Sequence, residues 1–438
     1  KNFDSLIALI KNSQQRDTMS TVARLAPERK IPRDLATLGE LPKFISENQI
    51  KLFSKEEYTK YDIINYHLEQ KKTDDAFYIV DLGEILEQFK LWKTHLPRVE
   101  PFYAVKCCPN SMIIKTLAVL GCSFDCASKA EIIKVTDLEV PTNRIIYANP
   151  VKDPQYIKFA RSQNVDIMTF DNEVELYKIK LYHPYAKLVI RIKTDDSNST
   201  LKFSSKFGCS LTEAKVFLEK AKSLDLDVIG VSFHVGSKCN DTATWTNTLK
   251  DAKEIFKMGD SFGMNMHLLD IGGGFPGTSK DSLVSFEDMA KAINEGIDTY
   301  FGDVEDLRVI AEPGRYFASK SHTLVFNVIG KRKIVDNEGE TNFQYYMNDG
   351  VYGSFNCIVF DGADPDIKAF NNRSEKKYKS TLFGPTCDSM DTMTRSAELP
   401  ELGVGEWCYV ENFGAYTQAA ASSFNGFPQT DCNYVFMY

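Results

Sequence analysis

The sequence predicts an α/β protein built on a (β/α)8 barrel of the TIM type, followed by a second, all-β domain. Two observations predict it. Between about residue 80 and residue 315, eight short runs of β-branched and aromatic residues alternate with longer stretches whose apolar residues fall three and four apart, the period of an amphipathic helix. Beyond residue 315 that alternation stops, and apolar runs follow one another between turn residues.

Residues 1–40 mix Ser, Gln, Arg and Pro without a sustained period and read as an N-terminal extension, mobile or draped. Residues 41–80 read as a segment joining the β domain, with KFISENQIKLF as its strand. The barrel is expected over 81–316. Its strands are FYAVK (102–106), SFDCA (123–127), IIYAN (145–149), DIMTF (166–170), LVIRI (188–192), IGVSFH (229–234), HLLDIG (267–272) and RVIAEP (308–313). Helical stretches such as SMIIKTLAVL and FEDMAKAINEGIDTYF lie between them. A count of eight favours a barrel, while a doubly wound open sheet shares the alternation and stays an alternative. Residues 317–438 form the β domain, with TLVFNVIGKRKIV, NFQYYMNDGVYGSFNCIVFD, KSTLFGP and EWCYVEN as strands.

Composition narrows the function. A formal charge of -8 and no basic run argue against nucleic acid, whose phosphates need clustered Lys and Arg. No apolar stretch is long enough to span a bilayer, and the first residues lack the order of a signal peptide. Ten cysteines without zinc-like CxxC pairs and six scattered histidines suggest a reducing, cytoplasmic home and no metal.

Barrel enzymes carry their chemistry at the C-terminal ends of the strands, so those positions hold the candidates. Strand one ends in Lys106, strand two carries Asp125, strand five contains Arg191, strand six ends in His234 and strand eight holds Glu312. GGGFPG (272–277) follows strand seven. Each has a bland reading: a snorkelling lysine, a core histidine, a Glu312–Arg315 salt bridge, a plain loop. Together they fit pyridoxal phosphate, which needs an amine, a partner for its pyridine nitrogen and a phosphate cradle. Glu312 suits the nitrogen, the glycines and Ser237 suit the phosphate, and His234 suits the ring face. In the β domain, Cys387 and Asp388 lie in FGPTCDSMD, a Gly/Pro-bounded loop where a cysteine either packs or exchanges protons.

PFYAVKCCPN, FDCASKAEI, YANPVK, HVGSKC, DIGGGFPG, EPGRYF, YGSFN, GPTCDSMD and NFGAYT, in this order from about residue 80 to 430, resemble the eukaryotic ornithine decarboxylases. The resemblance implies an alanine-racemase-like barrel plus a β domain, and decarboxylation of ornithine to putrescine. It implies that Lys106 bonds covalently to the cofactor, Glu312 meets the ring nitrogen and His234 stacks on the ring. Asp125 and Arg191 support them, and Ser237, Gly274, Gly314, Arg315 and Tyr416 hold the phosphate. Asp361 and Asp388 would meet the substrate's terminal amine beside Phe360, where animal members commonly carry Tyr, and Cys387 would reprotonate the α-carbon. The resemblance further implies a homodimer with shared sites, an intersubunit ion pair between Lys206 and Asp391, and an antizyme as a possible partner. The alternatives are a sister decarboxylase for lysine, arginine or diaminopimelate, and an inactive antizyme-inhibitor-like binding protein.

Overall fold

A computed structural model describes residues 27–28, 31–371 and 376–438. The described chain groups into two compact units: Ile85–Ala318, and the residues up to Glu84 together with Ser319–Tyr438.

The first unit is a closed barrel of eight strands: Val99–Ala104, Ser123–Cys126, Ile145–Tyr147, Ile167–Phe170, Lys187–Arg191, Asp227–Ser232, Leu268–Asp270 and Arg308–Ala311. All eight expected runs are present, and the open-sheet alternative is excluded by closure, since Val309 of the last strand pairs in parallel with Val99 of the first. Such strands are buried on both faces, which is why they read as short, nearly continuous apolar runs. The interior is filled by Phe102, Ile146, Ala148, Ile167, Val189, Ile229, Leu268 and Ile310. Each large apolar side chain buried there contributes about 1.5–3 kcal/mol.

Seven helices follow the strands, and most begin at a side chain that satisfies the first turn. Asn110, Ser128, Asp153, Asn172, Ser210 and Ser285 each accept a backbone N–H of the helix they precede. Ser210 and Glu213 form a reciprocal capping box. These caps fix where each strand-to-helix loop ends, and those loops carry the polar residues.

The second unit is a mixed nine-stranded sheet. Lys51–Phe53 pairs in parallel with Asp431–Met437, which pairs in parallel with Phe77–Asp81, which in turn pairs antiparallel with His322–Val335. Helix Lys60–Gln70 opens on a Thr59/Asp62 capping box and lays Ile63, Ile64 and Tyr66 on Phe77, Ile79, Val325 and Val435. Among the described residues, no helix is long and apolar enough to cross a membrane.

Several local expectations change. Most of the 1–40 extension lies outside the described residues. KFISENQIKLF splits: Leu41–Glu47 is a helix with Pro42 in its first turn, and only Lys51–Phe53 is strand. The CIVF stretch, expected as strand, is the helical turn Cys357–Phe360. Strands Thr392–Pro400 and Asp431–Met437 were not anticipated.

Candidate active site

The chemistry-bearing residues of the barrel gather at the C-terminal ends of the strands and just past them. Lys106 lies in the single helical turn Val105–Cys107 after strand one. His234 and Glu312 follow the ends of strands six and eight, while Asp125 and Arg191 are still within theirs. The lysine's turn is tied to strand eight's exit, because Ala104 N–H donates to Pro313 O at 3.2 Å. A Cβ on Gly314 would stand 2.9 Å from that of Cys107.

Lys106 Nζ reaches Asp125 Oδ2 at 3.0 Å, while Asp125 Oδ1 is buried without a hydrogen-bond partner. Glu312 is buried and its Oε1 also lacks a partner. Burial first, then the nearby Asp270 and Asp125 carboxylates, push the Glu312 carboxyl well above its ordinary range. Asp270, wholly buried, is pushed up to about 6, mainly by burial. This carboxylate pair therefore favours a shared proton or a cationic N–H. The bland alternative, a Glu312–Arg315 bridge, is not the arrangement found: Arg315 Nη2 donates to Ser237 Oγ at 3.3 Å, and Nη1 lies 3.7 Å from Asp281.

His234 accepts the Gly236 N–H at Nδ1 (3.0 Å), which puts the ring proton of its neutral form on Nε2. Desolvation, then the Arg191 and Lys106 charges, hold it well below the ordinary histidine range. It is a neutral imidazole at physiological pH, able to lie on an electron-poor ring without charge repulsion. Phe203 meets it edge-on at 4.9 Å. The Arg191 guanidinium lies over Phe207 at 5.2 Å.

Glycine is required where the loop after strand seven passes this histidine. A Cβ on Gly273 would fall 2.7 Å from His234 Nε2, and Gly274 (φ +110) would drive one into Val235 at 2.6 Å. Gly277 and Thr278 donate their N–H groups to Asp281 Oδ2, at 3.1 and 2.9 Å. The same Asp281 lies 3.7 Å from Arg315, so the end of this loop, Arg315 and Ser237 are brought together. A phosphate suits an arginine and a serine hydroxyl beside a glycine loop, and a cationic ring N–H suits the partnerless oxygen of Glu312.

In the other unit, Cys387 is exposed, and Asp388 accepts hydrogen bonds from Met390 N–H (2.9 Å) and the Tyr352 hydroxyl. Those two contacts, in that order, hold the Asp388 carboxyl below its ordinary range. Asp361 is buried at the end of the Cys357–Phe360 turn, and Phe360 is exposed. Asp391 is buried and accepts from Val351 N–H (2.8 Å) and from Thr386 N–H and Oγ1 (3.0 and 2.7 Å). Tyr416 has a left-handed backbone (φ 57), and Lys206 lies in the barrel unit with its ammonium 5.1 Å from the Phe207 ring. Sequence reading missed Asp270, Asp281, Phe203 and Tyr352. Asp270 lies two residues before the glycines and could have been found there; the others become visible only in space.

The family described as pyridoxal-dependent decarboxylase, pyridoxal binding domain, matches residues 82–319, which include Lys106, Asp125, His234 and Glu312. The chain belongs to the pyridoxal-dependent decarboxylases. It is 48% identical over 396 residues to ornithine decarboxylase of Mus musculus, covering 87% of this chain and 85% of the mouse protein. It is 49% identical over 382 residues to antizyme inhibitor 2 of Xenopus laevis, with 85% and 83% covered. Among solved structures it is similar to the arginine decarboxylase of Paramecium bursaria Chlorella virus bound to agmatine, with a TM-score of 0.81 and 36% identity, covering 86% of this chain and all of the viral one. As a pyridoxal-dependent decarboxylase the protein is an enzyme whose cofactor is pyridoxal phosphate, in agreement with Arg315 and Ser237 beside the glycine loop and the partnerless Glu312 oxygen.

Proposed function

We propose that this enzyme decarboxylates L-ornithine to putrescine and CO2, the entry to polyamine synthesis. The observation that carries the reading is a lysine, a buried acid with a partnerless oxygen, and an arginine and serine beside a glycine loop, at the same ends of one barrel. Bound pyridoxal phosphate supplies an aldehyde that bonds to amines and a ring that accepts the electron pair left when CO2 departs. Lys106 provides the amine that holds the aldehyde and yields it to substrate, with Asp125 orienting its ammonium. Glu312 holds a proton at the ring nitrogen, and Asp270 beside it raises its proton affinity. His234 covers the ring face as a neutral imidazole. Ser237, Gly274, Gly314, Arg315 and Tyr416 hold the phosphate, with Arg191 in the supporting network.

Asp361 and Asp388 take the terminal ammonium beside Phe360, and Cys387 gives a proton to the α-carbon. Ornithine is favoured over a longer guanidinium substrate because the short aspartate at 361 suits an amine. The resemblance supports a homodimer in which Cys387, Asp361 and Asp388 of one chain serve Lys106 of its partner, with Lys206 and Asp391 pairing across the interface.

An antizyme-binding role is the second reading, favoured by the 49% identity to the Xenopus protein. The presence together of Lys106, Asp125, Glu312, Cys387 and Asp388 favours the enzyme. CO2 release from ornithine, lysine and arginine, measured in parallel with and without added pyridoxal phosphate, tests the proposal. Cofactor-dependent release predominantly from ornithine is expected; release only from lysine or arginine, or none, overturns it.

A further inference from the structure

We propose that Asn425 is a positioning residue for the Cys387 thiol. Cys387 is exposed, whereas eight of the ten cysteines are buried. An exposed side chain on a surface loop has no packing to aim it, so its direction depends on how its own backbone is held.

Both neighbours of Cys387 are fastened. Thr386 is bound through its N–H and hydroxyl to the buried Asp391. Asp388 receives the Tyr352 hydroxyl, and its N–H donates to Thr386 Oγ1 at 3.4 Å. The N–H of Cys387 itself leaves the loop and donates to Asn425 Oδ1 at 3.1 Å, across 38 residues of chain. That bond sets the plane of the 386–387 peptide and with it the direction of the Cys387 Cα–Cβ bond.

Asn425 is in turn held in place. Its backbone is left-handed (φ 55), a conformation asparagine tolerates better than most residues, and Gly426 after it is also left-handed (φ 79). Phe424 stacks on Tyr352 at 4.4 Å and 26°. Ser422 donates to Tyr352 O through its N–H (2.9 Å) and hydroxyl (3.2 Å). Tyr352 thus clamps both loops, and Asn425 links the second loop directly to the cysteine. The proposal rests on the reading of Cys387 as proton donor to the α-carbon, a task that requires the thiol at a defined point.

The test compares holoenzymes carrying Asn425→Gly and Asn425→Asp with wild type and Cys387→Ala. Glycine removes the acceptor while easing the left-handed backbone, so strain is not introduced; aspartate keeps an acceptor. Two quantities are read: the rate of Cys387 alkylation by iodoacetamide, located by peptide mass spectrometry, and kcat and KM for ornithine. Loss of one hydrogen bond of this kind gives Asn425→Gly about a threefold or larger change in alkylation rate and about a tenfold fall in kcat, with KM little changed. Asn425→Asp brings both back to within about twofold of wild type. An unchanged cofactor absorbance confirms that the variants are folded and loaded. Alkylation and kcat both unmoved in Asn425→Gly overturn the proposal. So does altered alkylation with an unchanged kcat when Cys387→Ala is impaired. Full activity of Cys387→Ala instead overturns the donor reading beneath it, and the alkylation rates still report whether Asn425 holds the loop.

Discussion

Lys106 Nζ stands 3.0 Å from Asp125 Oδ2, and the two side chains differ sharply in exposure, 43% for the lysine and 1% for the aspartate. The aspartate is a fixed, buried anchor and the lysine a reachable amine held at its tip. Such a lysine is oriented toward the barrel mouth without being sealed in.

That arrangement suits Lys106 to the proposed covalent link with the cofactor. The wild-type protein with pyridoxal phosphate is expected to absorb in the near-ultraviolet or visible range, and Lys106→Ala to lack that band. Absorbance spectra of the two proteins, taken after removing free cofactor, check this; an identical band in the variant would show that the cofactor is bonded elsewhere.

Glu312 is argued to keep the ring nitrogen protonated. Glu312→Ala should retain some cofactor yet lose about 2–4 kcal/mol of transition-state stabilisation, seen as a fall in kcat of about 30- to 1000-fold. Steady-state kinetics on ornithine, alongside a cofactor-content assay, separate lost chemistry from lost binding.

Asp361 is buried, so an added methylene has little room. Asp361→Glu is expected to lower kcat/KM for ornithine by about tenfold or more, through displacement of the terminal amine. Unaltered ornithine turnover would remove Asp361 from the substrate pocket.

Asp81 gives the β unit a pH dependence of its own. Its Oδ1 accepts from Gly83 N–H and Met437 N–H, both at 2.9 Å, while Oδ2 is buried without a partner. Burial, the largest influence, pushes its carboxyl from the usual 3.8 up to about 6. The folded state therefore holds a proton that the unfolded chain releases near pH 4. Below that pH both states are protonated and no penalty exists; as pH rises toward 6 and beyond, the fold pays a growing cost that then levels off. Asp81→Asn cannot ionise, so its thermal midpoint relative to wild type should rise between pH 4 and 7, by an amount equivalent to at most about 3 kcal/mol. A difference between the two proteins that does not vary with pH would show that Asp81 titrates normally.

Shared sites predict complementation. Lys106→Ala and Cys387→Ala subunits mixed in equal amounts give about half mixed dimers, each with one intact and one doubly altered site, hence roughly a quarter of wild-type activity. A fluorescence measurement of subunit exchange accompanies the assay. If exchange occurs and activity stays at the level of the separate variants, each site is built within one chain.

The barrel was legible because parallel strands buried on both faces leave compact apolar runs, and because Lys106, His234 and Glu312 stand out as polar residues at their ends. The edge strand Thr392–Pro400 was not legible: TMTRSAELP is partly exposed and polar, which masks the alternation. CIVF misled in the opposite sense, since four apolar residues suit a strand as well as the helical turn they form. Of the site, the residues joined to a sequence motif were found. Asp281 and Asn425 meet partners dozens of residues away, Arg315 in one case and Cys387 in the other, and pairing at that separation leaves no local pattern.

The placement of Asp431–Met437 between Lys51–Phe53 and Phe77–Asp81 has a consequence for biosynthesis. The two early strands leave the ribosome without the strand that joins them, which emerges about 350 residues later, roughly 20–70 s at ordinary elongation rates. Throughout that interval the barrel can complete itself from contiguous chain, whereas Phe77–Asp81, an all-buried strand in the finished protein, has an unpaired edge. The nascent protein is thus exposed to aggregation and chaperone capture through these early strands, and deletion of Asp431–Met437 would leave that edge open for good.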